Sequence, residues 1–246
     1  MVPVREPSVS RRMLVNILIP FALLLVSISA VFAQDTGAVY EFDPGVGVAV
    51  DLTRRTRLDF FVGREKSEEL HSSKGKLSAG ISFRVKPLLK TFLDNLDSDK
   101  EHVLVVGAAL EYSRDLASTV KERRLMLDST VRFIFLRNLL VSDRTRLEFR
   151  WINGEYHFRF RNRPMAERPF RVGKKKYVVP YLAVEPFWDS RFSKWSQFKF
   201  TGGVQLPLIR RSILDVYYER QHCVVCADSH TNILGLTLNM YLRSIK

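Results

Sequence analysis

Two groups of residues in this 246-residue chain have types and spacing that could do chemistry. The first is H-C-V-V-C-A-D-S-H, from His222 to His230. Two cysteines three positions apart suit a disulfide in an oxidising compartment, so Cys223–Cys226 is the expected bond, stapling the loop before the last strand. The same stretch offers an alternative. Reduced thiols at both positions, with His230 and either His222 or Asp228, would make a tetrahedral zinc site. Oxidised cysteines remove that option, and no metal ligand is assigned. A thioredoxin-like exchange site would need a βαβ setting that is missing, and Ala227 stands where c-type haem attachment needs histidine.

The second group is a row of charges at every other position: Arg146, Glu148 and Arg150, then His157, Arg159, Arg161 and Arg163. Glu185, Asp215 and Glu219, with Asp128, are their candidate counter-charges. Such a set can fill a narrow interior with salt bridges, because bare burial of charge is costly. With its excess of arginine it can instead line a path that favours small anions. Catalysis asks for more. A lipid hydrolase needs a serine, a histidine and an orienting acid in contact. His157 is the only histidine firmly on a predicted strand, it lies on the arginine face, and no serine stands out. No Gly-rich phosphate loop, H-E-x-x-H motif or calcium loop is present. No catalytic residue or cofactor is assigned, and the chain is expected not to be an enzyme.

These charges are positioned by strands. In L-E-F-R-W-I-N-G-E-Y-H-F-R-F-R-N-R, Leu147–Arg163, one face carries Leu147, Phe149, Trp151, Tyr156, Phe158 and Phe160. The other carries the charges, and Asn153-Gly154 sits where a tight hairpin turn belongs. A barrel with lipid outside and water inside needs this pattern. Similar alternation recurs along the chain and gives eleven segments, from Val46–Thr53 to Leu234–Leu242. Bacterial single-chain barrels have an even count. The expectation is therefore an all-β, closed antiparallel up-and-down transmembrane β-barrel of about twelve strands, with ten as the alternative. An extra strand would lie near Ala38–Phe42.

Three details refine it. Pro180 and Pro186 interrupt one strand candidate and are expected at bulges or strand ends. Pro87–Lys100 has Leu88, Leu89, Phe92, Leu93 and Leu96 near helical spacing, which predicts a short amphipathic helix lying on the membrane interface or capping one barrel end. Trp151, Trp188, Trp195, Tyr217 and Tyr218 are candidates for the interfacial aromatic girdles, or for ordinary strand packing.

Arg5, Arg11 and Arg12 precede an apolar run from Met13 to Ala33, and Val31 and Ala33 precede Gln34 as a cleavage site should be preceded. Residues 1–33 are read as a signal peptide and 34–246 as the barrel domain; an uncleaved anchor is the alternative. The chain carries 39 Lys+Arg against 26 Asp+Glu. In an exported protein that excess suits lipopolysaccharide phosphates and small anions, not nucleic acid.

A family resemblance adds to this. R-T-R-L-E-F-R-W at Arg144–Trp151 and Y-H-F-R-F-R-N-R with E-R-P-F at Tyr156–Phe170 resemble the bacterial family called domain of unknown function 2490. So do P-Y-L-A-V-E-P-F-W-D at Pro180–Asp189, L-D-V-Y-Y-E-R-Q at Leu214–Gln221 and T-N-I-L-G-L-T-L-N-M-Y-L at Thr231–Leu242. That family consists of predicted outer-membrane β-barrels without an established activity. The resemblance implies location in the cell outer membrane, with its lipid, lipopolysaccharide and insertion machinery as partners. One departure is the tail Arg243–Lys246, where such barrels usually end in an aromatic residue. The expected role is a narrow anion-preferring pore or a structural barrel. A lipid-modifying enzyme and a soluble periplasmic ligand-binding barrel are the alternatives.

Overall fold

In the computed structural model of the chain, the described residues are 39–66, 73–87, 97–135, 139–172, 176–208, 211–225 and 229–243. The signal-peptide region lies outside them. The strands are β1 (Val39–Asp51), β2 (Thr56–Lys66), β3 (Ser73–Pro87), β4 (His102–Asp115), β5 (Lys121–Phe135) and β6 (Leu139–Ile152). They continue with β7 (Glu155–Glu167), β8 (Phe170–Val172), β9 (Lys176–Asp189), β10 (Lys194–Pro207), β11 (Ser212–Cys223) and β12 (His230–Arg243). Eleven of them close into a barrel in chain order, and the three-residue β8 lies outside, paired only to β9.

The eleven alternating segments are thus the eleven staves, and the even-count expectation of twelve or ten does not hold for the barrel. Parity explains the closure. In a meander each stave reverses the previous one, so with an odd number the first and last run the same way. β1 accordingly pairs with β12 in parallel, from Val39↔Thr231 to Asp51↔Arg243, while every other pair is antiparallel. Parallel bonds slant but still satisfy the backbone, so the closed sheet keeps no open edge at this seam. β1 starts at one rim, called the N-rim, and β12 ends at the other, the C-rim.

Local chemistry sets the connections. Asn153 and Gly154 both have positive φ, 51° and 96°, so β6 and β7 meet through a two-residue turn whose twist matches the strands. Pro180 and Pro186 lie inside β9, not at a bulge or an end. β7 and β9 stay in register, but no pairing runs between Arg161↔Phe187 and Met165↔Ala183. Pro164 and Pro186 both fall in that gap, where each would have lacked a donor. Register shifts lie instead on β10, between Trp195 and Gln197, and at the end of β3, between Arg84 and Pro87.

Alternation decides what each face meets. Leu110, Leu77, Tyr156 and Phe200 stand exposed on the outer wall, between 55% and 65% accessible, while Arg150 and Arg159 are about as buried as residues become. The interior also holds rings. Tyr217 lies on the inward face opposite Gly235, where any Cβ would overlap its ring. It is therefore packing, not girdle.

The parallel seam is testable. In a background lacking the native cysteines, Val46→Cys with Leu238→Cys should cross-link under mild oxidation, because those positions are registered partners. Val46→Cys with Leu234→Cys should not, and efficient bonding of that second pair would contradict the register.

Candidate functional site

The inward face assembles three layers of charge. Near the N-rim, β5 supplies Glu122 and Arg124, β6 supplies Arg150, β7 supplies Arg159 and β9 supplies Asp189. Arg150 donates to Glu122 and, at 3.0 Å, to Asp189. Arg159 reaches the same Asp189 oxygen at 2.6 Å and Arg191 reaches it at 3.1 Å. Arg124 bridges Glu122 at 2.7 Å and Glu111 at 2.9 Å. Glu148 and Asp189 are 0% exposed, Arg150 1% and Arg159 2%. Charges this deep are tolerated only because each has partners, and losing one partner is expensive.

In the middle layer Arg161 spans Glu148 at 2.6 Å and Glu185 at 2.9 Å, and lies 4.5 Å from the centroid of the buried Phe187 ring. Lys199 pairs with Glu219 at 2.8 Å, and Thr201 donates to the other Glu219 oxygen. Arg146 grips Asp128 with two nitrogens at 2.6 and 3.1 Å. Tyr181 donates its hydroxyl to Asp215. One pairing is unlike the rest. Arg144 and Arg163 are directly opposed on β6 and β7, and the buried Nε of each has no hydrogen-bond partner among the described residues. Arg144 does reach Glu185 at 3.1 Å through another nitrogen.

At the C-rim the end of the β3–β4 connection enters the barrel mouth as a 3-10 turn, Ser98–Glu101, capped by Asp97. Asp97 takes Arg57 at 2.7 Å, and Asp99 takes Arg84 at 2.6 Å. Asp51 holds both arginines. Lys100 reaches across to Glu167 on β7 at 2.6 Å and Gln205 on β10 at 2.8 Å. Arg132 of β5 donates to the Asp99 carbonyl. The helix expected over Pro87–Lys100 falls mostly on residues outside those described. Its described end plugs the mouth instead of lying on a membrane surface. Burial pushes the Asp97 carboxyl up, but Arg57 and then Lys100 outweigh it and hold it at about 2. Asp99 goes the other way, raised by burial and then by the neighbouring Asp97 carboxylate.

The sequence-derived set divides as follows. Glu148, Arg150, Arg159, Arg161, Glu185 and Glu219 are joined within the interior as described, Arg146 through Asp128 and Asp215 through Tyr181. Arg163 faces Arg144. His157 stays near the rim, 3.9 Å from the exposed Glu155, and joins none of these layers. Cys223 is disulfide-bonded, and in a chain with two cysteines its partner is Cys226, which lies outside the described residues. Nearby, His222 and His230 form a cross-strand pair with Nδ1 and Nε2 3.1 Å apart, and Ser229 contacts the second ring at 3.0 Å. Among the described residues no group of three or more His, Cys, Asp or Glu is placed to hold a metal. Sequence reasoning missed Glu122, Asp189, Arg57, Arg84 and the Asp97–Lys100 turn. Period-two alternation puts Arg57 and Arg84 opposite the apolar faces of their strands, but cross-barrel partners are not visible in a local pattern.

A family model described as "Protein of unknown function (DUF2490)" matches residues 36–227. No curated protein matches the chain. Among solved structures the chain is similar to one titled "Bacterial polysaccharide outer membrane secretin", at TM-score 0.47 and 8% identity over 75% of this chain. It spans only 63% of that structure's length. It is also similar to "LpxR from Salmonella typhimurium", at TM-score 0.43 and 8% identity, over 76% of this chain and 83% of that one.

Replacing Asp189 by Asn removes the carboxylate that Arg150, Arg159 and Arg191 share and should destabilise the folded barrel by about 3–5 kcal/mol, read from urea unfolding in detergent. A loss below about 1 kcal/mol would mean that the layer is not closed. Carboxyl ¹³C titration should place Asp97 at about 2 and Asp99 above the ordinary 3.8. The sign follows from linkage. The Asp97 pairs contribute fully above its unfolded value of 3.8 and fade as pH falls toward 2, and Arg57→Leu should move the Asp97 midpoint upward.

Proposed function

The chain belongs to the family described as protein of unknown function (DUF2490), and we propose that it is a bacterial outer-membrane β-barrel with a lumen closed at rest, serving as a structural barrel without catalysis. The observation that carries this reading is the inversion of polarity: aliphatic and aromatic side chains are exposed on the wall and ionised ones are sealed within. In water such a wall would be an aggregation surface, whereas in hydrocarbon it is the favourable face. The staves run from 11 to 15 residues, and about 9–11 tilted residues suffice to cross a bilayer. A soluble ligand-binding barrel would place its apolar side chains inward, the reverse of this arrangement.

Closure is favoured by the inaccessibility of Glu148 and Asp189 and by the ion-paired turn in the C-rim mouth. Eleven staves enclose more space than eight, which side chains alone fill, but long arginines from several strands and an inserted segment take up the difference.

A second reading, passage of small anions, is favoured by one feature. Arg144 and Arg163 face each other with unused Nε donors in the interior. An anion is the natural acceptor for such a pair.

Planar-bilayer recording separates the two. The purified barrel is expected to be electrically silent at neutral pH, while remaining in the membrane pellet after alkaline extraction. Discrete anion-preferring steps would establish the second reading, and release by osmotic shock would remove both.

A further inference from the structure

The outer wall near the N-rim is layered in a way that the closed-barrel reading does not use. Registered partners define rows around the barrel. One row runs Phe60, Ala79, Leu110, Leu125, Phe149 and Phe158, entirely apolar. The next, one outward-facing pair closer to the rim, runs Val62, Leu77, Tyr112, Arg123, Trp151 and Tyr156. The third, closer still, runs Arg64, Gly75, Arg114 and Lys121. Going up the wall, hydrocarbon gives way to amphipathic rings and then to cations, which is the order in which a bilayer presents acyl chains, interface and headgroup phosphates.

Three of these cations are set against each other. Arg114 and Lys121 are direct cross-strand partners, and Arg123 stands one outward position below Lys121 on the same strand. All three are exposed, and none makes an ion pair among the described residues. Like charges directly opposite on a sheet repel. The connecting residues Leu116–Val120 contain no acid to relieve the repulsion. At the C-rim the outer wall of β5 and β6 ends differently, in Phe133, Phe135, Leu139 and Val141, with no cation among the described residues.

We propose that Arg114, Lys121 and Arg123 form a binding site for the phosphate groups of a phosphorylated lipid headgroup in the leaflet that meets the N-rim. The guanidiniums offer planar forks that match phosphate oxygens and the ammonium adds a compact point charge. Tyr112, Trp151 and Tyr156 fix the depth at which the headgroup meets them, and Gly75, the registered partner of Arg114, puts no side chain of its own beside it. In an outer membrane, the leaflet built from phosphorylated glycolipid is the outer one, so the site also orients the barrel with its N-rim outward. The proposal rests on the membrane reading above.

The test uses the full protein in phosphatidylcholine nanodiscs doped with either a bis-phosphorylated disaccharide lipid or its dephosphorylated counterpart. Retention of the doped lipid is read by native mass spectrometry. The wild type should retain the phosphorylated lipid selectively, and Arg114→Gln/Lys121→Gln/Arg123→Gln should bind it roughly 100-fold more weakly, about fivefold per cation. Arg54→Gln/Arg55→Gln, which removes exposed charge at the opposite rim, should leave retention unchanged. Equal retention by wild type and triple variant, or of the two lipids by the wild type, would overturn the proposal. So would displacement by inorganic phosphate at equal concentration, which would indicate a free-anion site. Quenching of tryptophan fluorescence by brominated acyl chains reports embedding separately. If quenching is absent from the wild type, the membrane reading itself fails, and the headgroup site with it.

Discussion

A guanidinium enclosed by eleven strands and an apolar wall can send its charge only to a carboxylate in the same enclosure. Much of the interior follows from that constraint. Asp189 serves Arg150, Arg159 and Arg191 together, and Arg161 is stretched between Glu148 and Glu185. Asp189 and Glu185 each serve arginines from both β6 and β7, and the ion pairs act as cross-braces between strands. The arrangement confers register more than raw stability. A slip of one residue in β6 would turn Arg150 and Glu148 out onto the apolar wall and bring Phe149 and Trp151 in among charges.

The same alternation governs the packing of rings. Where one inward position is glycine, a neighbouring stave can lay a ring across it, as Tyr217 does over Gly235. Phe187 shows the other solution: its face is occupied by Arg161, with Arg159 and Lys199 farther off. An aromatic ring inside a charged lumen is stable there because cations can sit on it.

The barrel class was legible because its signal is short-range. Leu147–Trp151 and Tyr156–Phe160 declare their faces within a few residues, and Asn153-Gly154 declares its turn. The alternating segments number eleven, as the staves do, and the even-count rule for single-chain barrels does not hold for this chain. The interior partners were less legible. Glu122 and Arg150 are far apart in sequence, and Asp189 follows two prolines that made its strand look broken. D-S-D-K at Asp97–Lys100 continues a leucine-rich flank whose spacing predicts a helix, yet its acids and lysine find their partners on β2, β3 and β7. Local periodicity reports which way a side chain points, not what it meets across a cavity.

The odd number of staves has a topological result. A meander with an even count returns its tail to the side where it began. Here the first strand begins at one rim and the last finishes at the other. Polypeptide joined ahead of β1 and polypeptide joined after β12 would therefore emerge from opposite ends of the barrel. Such a barrel holds two unlike modules apart, one at each mouth, and couples them mechanically through a single covalent path.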